Sequence, residues 1–333
     1  MVQIKDIAKE CGVSVATVSK SLNNAKDISD ATKARVRACA KEMGYIPNSA
    51  AKALKTSRTE TIGILFHDNQ NLGFTHNHFS RVLESIKQNV ESHGYDVTFI
   101  NASKKKTYLQ HCKSRGVEGV IVVCVDYDNP DVKELVDSYL PVVTIDYDFG
   151  NKVSVMSDNY AGGRAVAKCA IDMGHTNIGI IHGELTGVTQ KRLQGIEDVL
   201  RENNIEISMN EKKACYFNDP NSTYFVTLEL LKLPNRPTCI LFQDDYSYIG
   251  GFNAITDAGL SVPEDISVIG YDGINLSRII SPRLVTYNQD CEGIGRMAVD
   301  KLFEQIEHPG LSYAETVEVS GCLIEGGSVR SIK

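Results

Sequence analysis

The chain has 333 residues, a net charge of −7, 42% hydrophobic residues and 23% charged residues. Its length exceeds what one compact core usually holds, and its composition is typical of a soluble globular protein. No run of about 18 apolar residues occurs, which excludes a membrane-spanning helix. Residues 1–20 are amphipathic and contain acids, unlike a secretory signal peptide. We therefore expect a cytoplasmic protein without membrane contact.

The sequence lacks the motifs that mark several common classes of enzyme. It contains no Gly-x-x-x-x-Gly-Lys phosphate loop, no Gly-x-Ser-x-Gly elbow and no strand followed by Gly-x-Gly-x-x-Gly. Its nine cysteines are scattered without a Cys-x-x-Cys pair, which predicts reduced thiols and neither a zinc ribbon nor a redox motif. We expect a protein that is not an enzyme and has no cofactor.

Charge is distributed unevenly along the chain. Residues 1–60 contain eleven Lys or Arg and six Asp or Glu, a net +5, which leaves −12 for the remainder. A basic segment on an acidic body suggests that only the first segment meets nucleic acid. The alternative is that basic residues cluster here by chance, because a net charge of +5 is modest.

The first forty residues contain the pattern of a helix-turn-helix. Residues 4–10 fit a first helix, Gly12 allows a sharp turn, and Ser14 can cap a second helix. Val18 and Leu22 are four apart and can pack inward together. The second helix of such a motif enters the DNA major groove, whereas an ordinary helical hairpin is the alternative.

The outward face of the second helix has small residues and one long cation, Lys20. Ser29 can cap a third helix that runs to Met43 and ends at Gly44. Asn48 could then cap a two-turn, alanine-rich helix that forms only against a partner, or the segment is a plain linker. The residues expected to contact DNA are Ser14, Val15, Ala16, Thr17, Ser19, Lys20, Asn23, Ala51 and Leu54, the last as a wedge between base pairs.

In residue type and spacing, four segments resemble the lactose-repressor (LacI) family of bacterial transcription regulators. They are Ile4-Lys5-Asp6-Ile7-Ala8, Gly12-Val13-Ser14-Val15-Ala16-Thr17-Val18-Ser19, Gly44-Tyr45-Ile46-Pro47-Asn48 and Ala53-Leu54. The resemblance continues to about residue 325. It implies a homodimer whose heads bind a palindromic operator. Lys20 stands where an arginine is common, and the tail after residue 322 lacks leucine heptads, so no tetramer bundle is expected.

After residue 60, predicted strands alternate with predicted helices, which is typical of a parallel sheet covered on both faces. The strands are predicted at 61–66, 96–100, 119–123, 142–146, 178–181, 214–217, 238–242, 266–270 and 315–319. The helices are predicted at 79–92, 107–114, 132–138, 159–173, 190–202, 221–231, 246–258 and 291–307. The predicted fold class is therefore α/β: a small all-α head plus two doubly wound parallel-sheet subdomains, similar to periplasmic binding proteins.

The predicted domains are a head at 1–46, a hinge helix or linker at 47–59, an N-subdomain at 60–160 and 290–325, and a C-subdomain at 161–289. The return of the chain to the N-subdomain is implied by the family resemblance alone. Ligands of such sheets sit at the carboxyl ends of the strands. The polar residues there are Asp68, Asp146, Asp244, Asp245 and Asp272, which suit a sugar.

Arg192 starts a predicted helix from which it can reach a ligand, and Phe79, Tyr147, Phe217 or Tyr246 could stack on a sugar ring. Asp158 and Asp245 are interpreted instead as helix N-caps, and each aromatic residue could equally belong to the core. The resemblance implies effector contacts for Asp146, Arg192, Phe217, Asp244 and Asp272; Phe79 is added from the residues alone.

The predicted function is a ligand-responsive repressor of carbohydrate genes. The loop at 68–78 is longer and richer in histidine than the family's usual loop, which leaves the effector open. His67, His76 and His78 do not form a convincing metal pattern, and no metal is expected. Alternatives are an exported type of sugar-binding protein without a DNA role, disfavoured by the basic head, and a corepressor-dependent regulator like purine-responsive relatives.

Overall fold

The computed structural model describes residues 2–46, 58–67, 73–101, 105–206, 209, 211–309 and 314–333. Two compact units are present, Met1–Thr59 and Glu60–Lys333, and each is considered by itself. Most of the predicted hinge at 47–59, with Ala51 and Leu54, lies outside the described residues, and so does Asp68. Within the described ranges, no helix combines the length and apolarity needed to cross a bilayer.

The first unit is a three-helix head made of α1 (Ile4–Cys11), α2 (Val15–Leu22) and α3 (Asp30–Glu42). The predicted caps are confirmed, since the Ser14 and Ser29 hydroxyls accept hydrogen bonds from backbone amides three residues on. Gly12, at φ 62°, supplies the left-handed conformation that ends α1. The three helices bury a small core that consists of Ile7, Ala8, Val18, Val36 and Ala40.

The second unit contains two lobes, each built on a six-stranded sheet. The strands of the first sheet are β1 (Thr61–Phe66), β2 (Asp96–Phe99), β3 (Gly119–Val123), β4 (Val142–Ile145), β5 (Val153–Ser157) and β11 (Glu315–Val319), in the order β11-β5-β4-β3-β1-β2 and all parallel. The first lobe's helices are α4 (Asn77–Ser92), α5 (Tyr108–Arg115), α6 (Pro130–Val136) and α12 (Cys291–Glu307).

The second sheet repeats this design with one antiparallel edge. Its strands are β6 (Ile178–His182), β7 (Lys212–Ala214), β8 (Cys239–Leu241), β9 (Ser267–Asp272), β10 (Val285–Asn288) and β12 (Cys322–Ile324), in the order β12-β10-β9-β8-β6-β7, with β12 antiparallel to β10. The second lobe's helices are α7 (Asn159–Asp172), α8 (Gly187–Glu202), α9 (Pro220–Leu231), α10 (Tyr248–Asp257) and α11 (Asn275–Ile279).

The chain passes between the lobes three times, after β5, after β10 and after β11. The sequence did not predict β5, β10, β12 or α11, all of which are five residues or shorter. The prediction also kept residues up to 325 in the first lobe, whereas Cys322–Ile324 pairs with β10 in the second sheet. Segments this short carry too few residues to show a periodicity.

Both faces of the first sheet are covered, which explains why the inner strands β1, β3 and β4 are nearly continuous runs of apolar residues, unlike the edge strands β2 and β11. On one face, Ile62 and Ile64 of β1 pack with Val82 of α4 and Leu302 of α12. The second lobe is layered in the same way, with one core that draws on α7 and α8 and another against α10. Helices cover the faces of each sheet but not the ends of its strands. A ligand can therefore reach the carboxyl ends of the parallel strands.

Helices α7 and α8 approach each other through two glycines. A Cβ atom added at Gly163 would lie 2.1 Å from the carbonyl oxygen of Arg192, and one at Gly195 would lie 2.2 Å from that of Tyr160. Only glycine permits backbones to come this close. The helix that carries Arg192 is thus held directly against its neighbour.

We expect Gly163→Ala to destabilise the protein by about 1–3 kcal/mol, because the added methyl group overpacks the contact between α7 and α8. The matched control is Gly187→Ala in the first turn of α8, where an added Cβ meets nothing within 4 Å. We expect that control to be neutral or to stabilise by about 0.4–1 kcal/mol. Urea unfolding measures both, and equal effects of the two substitutions would contradict the close approach.

Candidate functional site

Helix α2 has one buried face and one exposed face, as its sequence spacing predicts. Val18 and Ser21 are buried, whereas Val15, Ala16 and Lys20 are exposed. Of the other residues predicted to contact DNA, Ser14 and Asn23 are exposed and Thr17 and Ser19 are half-buried. This face offers small side chains and short hydroxyls to a partner. That it contacts DNA remains a prediction.

Lys20 forms an ion pair with Asp27, in the turn that follows α2. The hydrogen bond from the Lys20 ammonium lowers the pKa of the Asp27 carboxyl. Both side chains are about half exposed, at 50% and 57%. Asp27 therefore orients the Lys20 ammonium, and a DNA phosphate or base edge would compete with Asp27 for it. No local sequence pattern predicts this partner.

In the second unit, three predicted effector residues from different elements come together. Asp146 follows β4 with a left-handed φ of 61°, and Asp272 ends β9 with a φ of 100°. Arg192 lies in the second turn of α8, because that helix begins at Gly187 and not at residue 190 as predicted. Burial raises the pKa of Asp146 to about 6, with Arg192 lowering it and the negative charge of Asp272 raising it further. The charges of Arg192 and Asp272 therefore both act on the carboxyl group of Asp146.

Arg192 is fixed by neighbours that sequence reasoning missed. Its Nε donates a 2.8 Å hydrogen bond to Oδ1 of Asn159, at the start of α7. Its guanidinium carbon lies 3.7 Å from the ring centroid of Tyr271 and 5.8 Å from that of Phe217. A planar cation held between an amide and two aromatic rings loses little freedom when it binds a ligand oxygen.

Asp272 is positioned by Gln289, whose Nε2 donates a 2.6 Å hydrogen bond to its Oδ1. Nε2 of Gln289 also lies 3.5 Å from Nδ1 of His78. Burial lowers the pKa of His78 to about 4, so its imidazole is neutral at physiological pH. His78 thus contributes to the wall of this site. Among the residues that the structure describes, no group of three His, Cys, Asp or Glu side chains is arranged to bind a metal ion, and that the protein binds no metal stays a prediction.

The interpretation of Asp245 as a helix cap is wrong. Asp245 is fully buried and accepts hydrogen bonds from the Ile274 amide at 3.0 Å and the Thr286 hydroxyl at 2.6 Å. Asp244 does not cap it either: its carboxylate accepts from the amide and hydroxyl of Ser247, the N-cap residue of α10, at 2.6 and 2.7 Å. The Asp158 cap is confirmed. An effector contact for Asp244 remains a prediction, although both of its oxygens already accept hydrogen bonds.

Helix α4 brings the first lobe against the second. The Nε2 atom of His76 lies 3.0 Å from Nδ2 of Asn218, and Arg81 donates a 3.3 Å hydrogen bond to the carbonyl of Gly273. Phe79, a predicted effector residue, packs against the His76 ring at a centroid distance of 4.6 Å. The candidate site therefore lies where the two lobes touch.

Two family models match the chain. One describes bacterial regulatory proteins of the lacI family and covers residues 3–48; the other describes a periplasmic binding protein-like domain and covers residues 168–329. The chain is 33% identical to the HTH-type transcriptional repressor PurR of Mannheimia succiniciproducens, with 100% of both proteins aligned. The chain belongs to the LacI family.

Other members support the same assignment. A PurR repressor of Edwardsiella ictaluri is 33% identical over 99% of this chain and 97% of its own length. The Lac repressor dimer bound to operator and the anti-inducer ONPF superposes with a TM-score of 0.81 at 26% identity, over 99% of both chains. A CelR–cellobiose complex shares the fold, with a TM-score of 0.73, 22% identity and coverage of 98% and 100%. These LacI-family relatives are transcription regulators and not enzymes.

In this LacI-family protein, the raised pKa of Asp146, about 6, makes stability depend on pH. The folded state binds the Asp146 proton more tightly than the unfolded state does. The stabilisation that this gives the folded protein is fully present below about pH 4 and is lost as the pH rises through about 6. We expect Asp146→Asn to be more stable than the parent by about 1–2 kcal/mol at pH 8, and equally stable near pH 4.

Urea unfolding between pH 4 and pH 8 measures this difference. The control is Asp128→Asn, an exposed carboxylate ion-paired with Lys133 at 2.9 Å. We expect the control to show no comparable change with pH. An Asp146→Asn protein that is less stable than the parent at pH 8 would contradict the electrostatic account.

Proposed function

We propose that this LacI-family protein is a dimeric, cytoplasmic repressor that binds a palindromic operator through α2 and an uncharged sugar between its two lobes. One observation carries the effector half of the proposal. Asp146 of the first lobe and Asp272 of the second share the electrostatic environment of Arg192, at the carboxyl ends of the two sheets. Such ends are where ligands of parallel α/β folds bind.

The chemistry of these groups suits a polyhydroxylated ligand. The two carboxylates accept hydrogen bonds from hydroxyl groups, and the Arg192 guanidinium donates to hydroxyl or ring oxygens. The aromatic ring of Phe217, 5.8 Å from that guanidinium, offers an apolar face to a sugar ring. The carboxylates of Asp146 and Asp272 disfavour a phosphorylated ligand, because they would repel its added negative charge in a buried site.

A ligand held by both lobes also explains how the site would regulate. An effector that bonds to Asp146 on one lobe and to Arg192 or Asp272 on the other favours the arrangement in which these side chains face each other. The two lobes are then biased toward that arrangement, and the bias constitutes a coupling free energy with operator binding. Either sign of coupling is compatible with this geometry, so the effector is an inducer or a corepressor.

A purine base that acts as corepressor is the second candidate. Its support is the 33% identity, over the whole chain, to repressors named PurR. A flat base would stack on Phe217 and Arg192 but would leave most carboxylate oxygens of Asp146 and Asp272 without hydroxyl donors. An exported sugar-binding protein is disfavoured by the lacI-family head at residues 3–48.

For DNA binding, we expect Lys20→Ala to weaken operator binding by about 1–3 kcal/mol if Lys20 contacts a base edge. Discrimination at one operator position should relax at the same time. Fluorescence anisotropy at fixed salt, with single-base operator variants, measures both. The control is Lys168→Ala, since Lys168 is an exposed cation of the second lobe that lies near Asp172 at 3.8 Å.

The companion variant Asp27→Asn releases the Lys20 ammonium from its partner. We expect it to retain or increase operator affinity, because the cation no longer has to leave a carboxylate. Weakening by Lys20→Ala that is equal on all DNA sequences would mean a phosphate contact and would refute the base contact.

For effector binding, we expect Asp272→Asn to lower effector affinity about ten- to a hundredfold, because a charge-assisted hydrogen bond worth roughly 1.5–3 kcal/mol is lost. Arg192→Ala should do the same, and operator affinity without effector should hardly change. Calorimetric titration with neutral sugars, their 6-phosphates and purine bases measures the effect and identifies the class. The control is Asp265→Asn, an exposed carboxylate bonded to Ser261.

Melting curves of the same variants separate binding from folding. A well-folded Asp272→Asn protein with unchanged affinity for every ligand that the parent binds would place the effector elsewhere. Tight binding of a purine base alone would establish the second candidate instead.

A further inference from the structure

Two cysteines of the head lie on different helices and share one core. Cys11 is the last residue of α1, and Cys39 lies near the end of α3. Cys11 follows Ile7 by four residues, which places both on one face of α1. Cys39 follows Val36 by three residues, and these two share one face of α3 in the same way. Both cysteines are half-buried and pack against the core that Ile7 and Val36 help to form.

The side chains of these two cysteines are in contact. A hydrogen bond between the thiols of Cys11 and Cys39 is the main reason why the pKa of Cys39 is raised to about 11. Partial burial and the negative charges of Cys11, Glu10 and Glu42 add to this increase. Cys39 therefore keeps its proton at neutral pH and donates it to the bond, and the Cys11 sulfur is the acceptor. Because the pair lies at the rim of the core, a small oxidant can reach it.

A bond between these cysteines would act on α2. Cys11 is followed at once by Gly12, whose left-handed conformation ends α1, and Ser14 then caps α2. The position of the end of α1 therefore sets where α2 begins. Helix α2 also lies between the two cysteines in the chain, and its Val18 packs in the same core. A covalent link would thus close a loop around the helix whose exposed face is the proposed contact with DNA.

Closing this loop would move the start of α2. A disulfide brings two sulfur atoms much closer together than a hydrogen bond between thiols does, so its formation draws the end of α1 toward α3. Side-chain rotation absorbs part of that movement, and the rest displaces Gly12 and the turn after it. Hydrogen bonds to base edges form only within a narrow range of distances, so a displaced α2 would lose such contacts.

We propose that Cys11 and Cys39 are a thiol-oxidation site of the head, and that their reversible disulfide weakens operator binding when the protein meets a peroxide. The effect on DNA rests on the proposed function of α2. Formation of the disulfide does not, since it requires only the contact between the two thiols.

The oxidation balances with hydrogen peroxide as the only other reactant. The Cys11 sulfur attacks the peroxide, so that an S–O bond forms, the O–O bond breaks and the Cys11 proton leaves in water; Cys11 is now a sulfenic acid. The Cys39 sulfur then attacks the Cys11 sulfur. An S–S bond forms, the S–O bond breaks, and the departing hydroxide takes the Cys39 proton to form water. Two electrons pass from sulfur to the peroxide, and a dithiol reverses the reaction by exchange.

The first test maps the bond on the full-length protein. The protein is treated with hydrogen peroxide, free thiols are blocked with N-ethylmaleimide, and the unreduced digest is analysed by mass spectrometry. We expect one linked pair of peptides that contains Cys11 and Cys39, and its loss after dithiothreitol. In Cys39→Ser the reaction should stop at the sulfenic acid of Cys11, which dimedone traps.

The second test measures operator affinity by fluorescence anisotropy before and after peroxide. We expect peroxide to lower the affinity at least about tenfold, the size of one lost base contact, and dithiothreitol to restore it. Cys11→Ser and Cys39→Ser should each bind operator as the untreated parent does and ignore peroxide.

Two control variants should keep the full peroxide response. Cys322→Ser removes an exposed cysteine of the second unit. Met43→Leu removes the thioether sulfur that lies 3.6 Å from the Cys39 sulfur, and it separates disulfide formation from methionine oxidation.

Peroxide treatment that links other cysteines, or oxidises Met43 without linking Cys11 to Cys39, overturns the oxidation site. A complete Cys11–Cys39 disulfide with unchanged operator affinity overturns its control of DNA binding. If the reduced parent binds no operator, the proposed function fails, and peptide mapping alone still decides whether the disulfide forms. Circular dichroism confirms that each variant and the oxidised head are folded.

Discussion

The candidate effector site depends on the placement of one guanidinium. Arg192 is clamped between the Asn159 amide and the Tyr271 ring, and the α7–α8 glycine contact fixes the helix that carries it. Each of these restraints belongs to the second lobe, whereas the carboxylate of Asp146 belongs to the first. Arg192 is fixed within the second lobe, and the Asp146 carboxylate is carried by the first. The distance between them therefore changes when the lobes move relative to each other.

The structure shows why the helix caps and the buried strands could be predicted from the sequence. Helix caps such as Ser14 and Ser29 act within three residues, and buried parallel strands such as β1 and β3 are unbroken apolar runs, so local patterns are enough for both. Asp244 and Asp245 show the limit of local patterns. Both are buried beyond the end of β8, and only the tertiary fold decides that Asp244 accepts from Ser247 while Asp245 accepts from Ile274 and Thr286.

The missed residues have long-range partners. Asn159 and Tyr271 meet Arg192 across 33 and 79 positions of sequence, and Asp27 pairs with Lys20 through a turn whose shape no motif specifies. His78 appeared in the sequence only as one of three nearby histidines. Its contact with Gln289 spans 211 positions, and it requires the chain to have returned to the first lobe before α12. Such groups carry no local signal and emerge only from the tertiary fold.

The discontinuous first lobe has a consequence for synthesis on the ribosome. Its β1 begins at Thr61, yet its sheet is completed by β11 at Glu315–Val319, after all of the second lobe except β12 has been made. Domains usually fold in the order in which they emerge. Here the head and most of the second lobe can fold first, while Ile62, Val82 and Ile86 wait for Leu302 and its neighbours on α12. Until those residues leave the exit tunnel, the nascent chain exposes an apolar sheet face, and that interval is when a chaperone would bind it.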